Sequence, residues 1–113
     1  MKEKTKKQFQ KINREIQKII FENKKAKGFN IKNVPLEFCL IQGELAEAFE
    51  AWRKRENHLG EELADIAIYL YGLASILNID LGKEIIKKIA KNKKREYHRV
   101  KGVLLKKLHD TPL

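Results

Sequence analysis

Gly43-Glu44-Leu45-Ala46-Glu47, followed after a short gap by Glu61-Glu62-Leu63-Ala64-Asp65, is the stretch on which the reading of this chain turns. Each half carries two carboxylates three residues apart, Glu44/Glu47 and Glu62/Asp65. On a helix, such residues share a face. Two helices joined by a short turn run antiparallel, so all four acids converge on one small volume. Like charges gathered there repel unless a cation lies between them. An all-oxygen donor set suits a hard divalent ion, Mg²⁺ or, as a substitute, Mn²⁺. The competing reading is ordinary surface acids on amphipathic helices, since any one such pair is common.

Outward from this stretch, hydrophobic periodicity predicts helices on both sides. A first helix is expected over 5–25, with Phe9, Ile12, Ile16, Ile19 and Ile20 as its core stripe and Gly28 as its stop. Phe29, just beyond, is expected to pack back on the bundle; lining a pocket is the alternative. Asn33 and Pro35 open the second helix, which runs to about Arg55. It is apolar on most of its circumference, and Cys39 on it reads as a buried, inert thiol. The third helix is expected over 59–77, with Leu59, Leu63, Ile66, Leu70, Leu73 and Leu77 as its stripe and Glu62, Asp65 and Tyr69 along one border. Glu61 is offset by one residue, a supporting or exposed position. Asp80 caps a fourth helix running from Leu81 to Tyr97 or beyond. On it, Lys88, Asn92 and Arg95 form a polar stripe, with Lys91 adjacent, that reads either as a solvated basic face or as a phosphate clamp. The tail from His98 to Leu113 reads as a short helix or an oligomer contact. The fold expected is an all-α, antiparallel four-helix bundle-like subunit, one domain over 1–113.

The net charge of +10 is unevenly spread. Residues 1–35 hold 11 basic and 3 acidic side chains, 36–65 hold 3 and 8, and 66–113 hold 11 and 4. An acidic centre between basic flanks suits a metal site handling a polyphosphate better than a nucleic-acid surface, which has little use for clustered acids. A basic, non-catalytic nucleic-acid-binding or regulatory protein is the alternative, and a purely structural helical oligomer is a third. One cysteine excludes an internal disulfide and a Cys-rich zinc site. No Glu-x-x-His pair suits a di-iron bundle, and no Gly-rich phosphate loop or EF-hand loop occurs. No segment approaches the length of a membrane span, and the chain reads as cytoplasmic. A core this thin invites homo-oligomerisation.

With these motifs in order, the sequence resembles the MazG-like, all-α nucleoside triphosphate pyrophosphohydrolases and their ExxE…ExxD signature. The likeness continues through Tyr69, Asn78-Ile79-Asp80-Leu81, Lys88-x-x-Lys91-Asn92-x-x-Arg95-x-Tyr97 and Ala26-Lys27-Gly28-Phe29, covering roughly residues 20–100. It implies cleavage of a (deoxy)nucleoside triphosphate at the α–β bond, giving monophosphate and pyrophosphate, in house-cleaning of the nucleotide pool. It implies that Glu44, Glu47, Glu62 and Asp65 are the catalytic magnesium ligands. Glu47 and Glu61 are both options for the base. Lys88, Lys91, Asn92 and Arg95 match phosphate-contacting positions, Tyr69 a substrate-side aromatic, and Trp52 and Phe29 variable base-binding positions. A homodimer or homotetramer is implied as well.

Overall fold

The computed structural model describes residues 1–107. Four helices follow in order: α1 (Glu3–Ala26), α2 (Val34–Arg53), α3 (Leu59–Ile76) and α4 (Leu81–Lys94). A two-stranded antiparallel hairpin, β1 (Tyr97–Val100) and β2 (Val103–Lys106), closes the described chain. The chain is thus mostly helical, but two expectations change. The fourth helix stops at Lys94, and the tail beyond it is a hairpin rather than a helix. The hairpin turns on Lys101 and Gly102, both at positive φ, and its Val, Leu and Tyr residues favour extended backbone. Leu108 and the rest of the tail lie outside the described residues.

Local chemistry sets the helix ends. The Asn33 side chain accepts from Leu36 N, and Asp80 from Lys83 N, so both expected caps form. Helices α1, α2 and α3 end in one motif. Gly28, Arg55 and Asn78 take positive φ. The amides of Phe29, Glu56 and Ile79 then bond back to the carbonyls of Lys24, Ala51 and Ala74.

Helix α2 packs on α3, and α1 lies against α3 and α4. Residues early in α2 sit beside residues late in the first half of α3, and later ones beside its start, so the pair is antiparallel as expected. The α3–α4 junction is different: the axis turns by 107°, so α4 crosses the bundle rather than continuing its alternation. Gly82 makes that crossing close. A Cβ there would lie 2.6 Å from Asn13 Cβ.

The buried face of α1 also departs from expectation. Asn13, Gln17 and Lys24 are buried, while Ile12, Ile16 and Ile19 are exposed. Gln17 donates to Ser75 Oγ and Ile79 O and accepts from Leu81 N, pinning the α3–α4 turn. Asn13 accepts from the Tyr71 hydroxyl and donates to Phe9 O. On α3, Leu73 is buried but Leu63 and Leu70 are exposed, as is Leu77 just past its end. Cys39 is exposed rather than buried. The core is small, consisting of Ala48, Ala51, Leu73, Ala74 and Ile86. No single helix among the described residues is long and apolar enough to cross a membrane.

Candidate active site

The α2–α3 pairing brings Glu44, Glu47 and Glu62 together, with one carboxylate oxygen from each lying within 4.8 Å of the others. Asp65 stands beside this trio; its charge acts on Glu44, and its side chain lines the neighbouring cavity. Glu61 is exposed and outside the cluster. The Glu44 carboxyl is held above the ordinary glutamate range. Partial burial is the main cause, followed by the charges of Glu47, Asp65 and Glu62 and a hydrogen bond shared with Glu47. One Glu62 oxygen, Oε2, is buried without a hydrogen-bond partner. A buried orphan acceptor beside two further carboxylates is what a divalent cation satisfies, and the all-oxygen set fits a hard ion.

Sequence reasoning missed His58. Its Nε2 lies 3.1 Å from Glu56 and 3.4 Å from Glu62, placing the imidazole against one of the clustered acids. The signal lies in the four-residue spacing from His58 to Glu62, one helical turn on.

A cavity of about 460 Å³ adjoins Asp65. Ile19, Ile20, Leu40 and Ile68 give it apolar walls, and Phe29, Asn30, Lys24, Glu37 and Tyr69 complete them. Phe29 therefore lines a pocket rather than packing on the bundle. The backbone turn at Gly28 throws it there. Burial, then Glu44, Glu37, Asp65 and Glu47, raise the pKa of Tyr69, so its hydroxyl keeps its proton. The phenol is thus a donor placed in the field of the carboxylates.

The basic stripe is electrostatically coherent but takes no part in the cavity wall. Burial, followed by the charges of Arg95, Lys91 and Lys106, lowers the pKa of Lys88. Arg95 lies just past the end of α4 and donates to Asn92 Oδ1 at 3.2 Å. None of Lys88, Lys91, Asn92 and Arg95 lines the cavity beside Asp65. Trp52 does not line it either; it is 62% exposed and stacks on Phe49, ring centroids 6.1 Å apart.

Residues 27–108 match the profile of the MazG-like family. Among curated proteins, the chain is 39% identical over 75 residues to dCTP pyrophosphatase 1 of Rattus norvegicus, covering 57% of this chain and 44% of that protein. It is 41% identical over 75 residues to dCTP pyrophosphatase 1 of Bos taurus, with the same coverage. The chain thus spans less than half the length of the curated relatives it matches. No solved structure matches it.

Proposed function

Because the chain belongs to the MazG-like family, we propose that it is a nucleotide pyrophosphohydrolase, cleaving (deoxy)nucleoside triphosphates at the α–β bond in the presence of Mg²⁺. The observation that carries the reading is the cluster of Glu44, Glu47 and Glu62 with its orphaned Glu62 oxygen, next to Asp65, which lines a mostly apolar cavity. Glu44, Glu47, Glu62 and Asp65 would hold the cation. Bound there, Mg²⁺ would supply the positive charge that phosphate oxygens need and would favour ionisation of water. In the reaction, water oxygen bonds to the α-phosphorus, the bond to the bridging oxygen breaks, and pyrophosphate leaves. Glu47, the exposed member of the trio, is the acid we assign to take the water's proton, with Glu61 the other option. The cavity takes the nucleoside end, with Phe29 and Tyr69 as aromatic walls. The dCTP pyrophosphatases among the relatives make dCTP the first substrate to try.

The active form is a homo-oligomer in which a second copy brings the basic stripe to the carboxylates. Large exposed side chains on α1, α2 and α3, including Ile19, Leu45, Phe49, Trp52 and Leu63, support this. So does the absence of the stripe from the cavity wall.

A panel of nucleoside triphosphates, assayed with Mg²⁺ for monophosphate and pyrophosphate, tests the activity. Glu47→Gln and Asp65→Asn should each lower kcat/KM by on the order of 100-fold or more. Release of single phosphate, or salt-sensitive nucleic-acid binding indifferent to both substitutions, would overturn the reading.

A further inference from the structure

Lys24 and Glu37 form an ion pair in the wall of the cavity, with side chains 10% and 0% exposed. The proposed mechanism uses neither residue. A buried pair of this kind seldom stabilises a fold more than apolar residues of the same volume would. The chain also gives up helix propensity to keep it. Gly72 lies within α3, where alanine would favour the helix. A Cβ at Gly72 would lie 2.9 Å from Lys24 Cδ and 3.3 Å from its Nζ. The missing side chain is the passage through which the lysine reaches the cavity.

The surroundings fix where the ammonium sits. Glu37 Oε1 accepts from Lys24 Nζ, and its Oε2 accepts from Asn30 Nδ2 at 2.9 Å. Asn30 in turn accepts from the Lys32 and Asn33 amides and donates to Asn33 O, so the connecting loop is tied to the same carboxylate. Lys24 Nζ lies 5.5 Å from the centre of the Tyr69 ring. The Gly28 turn places Phe29 beside it through the Phe29 N to Lys24 O bond. An ammonium has three N–H donors. Among the described residues Lys24 makes one hydrogen bond, to Glu37, and its side chain lines a cavity with largely apolar walls, so donor capacity remains.

We propose that Lys24, positioned by Glu37, is a specificity-determining residue that donates a hydrogen bond to the nucleobase of the substrate. The base must present an acceptor, a ring carbonyl or an unprotonated ring nitrogen, to the wall formed by Lys24 and Tyr69. The inference rests on the nucleotide reading above, and its test separates the two. Two substrates are compared: the best nucleoside triphosphate of the panel, and deoxyribose 5-triphosphate, which has the same phosphates and no base.

In wild type, the base raises kcat/KM. In the double variant Lys24→Met/Glu37→Gln, which leaves no buried charge unpaired, that advantage should fall on the order of 10- to 100-fold, the loss of one charge-assisted hydrogen bond. The change should appear in KM for the nucleotide, with the base-free substrate cleaved as before. Gly72→Ala, which keeps both charges and displaces the lysine, should act in the same direction. An unchanged ratio between the two substrates, an equal loss on both, or a lowered melting temperature with the ratio intact would each overturn the proposal. Wild type that cleaves no nucleotide would instead overturn the nucleotide reading itself.

Discussion

At Glu44, electrostatics and stability can be read from one side chain. Its carboxyl is held above the ordinary range by partial burial and by Glu47, Asp65 and Glu62. Over the interval between the ordinary and the raised value, the native state binds a proton that the unfolded chain has released. Stability of the metal-free protein therefore falls as pH rises through that interval, and the penalty is fully present above it. Thermal melts of the metal-free protein at stepped pH should show this slope, and Glu44→Gln should flatten it. At neutral pH, Mg²⁺ at a hundred times its Kd should add about 2.7 kcal/mol to wild type. Glu44→Gln should lose most of that gain. At this scale the sequence was informative about the acids, because a three-residue spacing on a helix is nearly a statement of geometry. It was silent on Lys24 and Glu37, whose meaning depends on a partner 13 residues away.

Helices are where the reading from periodicity was strongest and also where it slipped. All four exist, and the Asn33 and Asp80 caps form because short polar side chains accept from amides that have no helical partner. The error on α1 was one of rotation. Ile12, Ile16 and Ile19 outline an apolar stripe, yet the face turned inward within one chain carries Asn13, Gln17 and Lys24. The signal that marks the inward face lies on other helices, at Gly72 and Gly82, which make room for Lys24 and Asn13. Gly82→Ala should accordingly destabilise the fold by about 1–3 kcal/mol, measured by urea unfolding, because its Cβ meets Asn13 Cβ rather than a flexible chain end. Arg55 offers the opposite case. It is exposed at φ 57°, ending α2 in a conformation that costs a non-glycine residue about 1–2 kcal/mol. Arg55→Gly should raise stability by up to about 1 kcal/mol after the extra flexibility of glycine in the unfolded chain is subtracted.

On the scale of the whole molecule, the single chain is more extended than its length warrants. Its radius of gyration is 17.1 Å, against about 13 Å for a compact domain of this size. The apolar surface left on three helices has the same implication. Sedimentation should find a dimer or tetramer at micromolar concentration. If the second copy supplies the basic stripe, a mixture of inactive Glu47→Gln and inactive Lys88→Ala chains should recover part of the wild-type rate, through sites that hold one intact half from each. The assembly is the level least legible in one sequence. Charge partition and motif order suggest that acids and stripe work together, whereas the way copies of the chain would meet leaves no periodic signal in one sequence.

The acids that gather around Glu44 all come from two consecutive helices, between Glu44 and Asp65. If these two helices pair before the rest of the chain packs, the repulsive cluster assembles without that packing to compensate for it. A divalent ion bound at that stage would lower the barrier as well as the final free energy. Refolding followed by stopped-flow should accelerate with Mg²⁺, and the acceleration should vanish in Glu44→Gln; an effect confined to the unfolding rate would mean that the cluster closes only after the barrier. The cation would then be a kinetic partner of the α2–α3 hairpin, present at its formation and retained afterwards for chemistry.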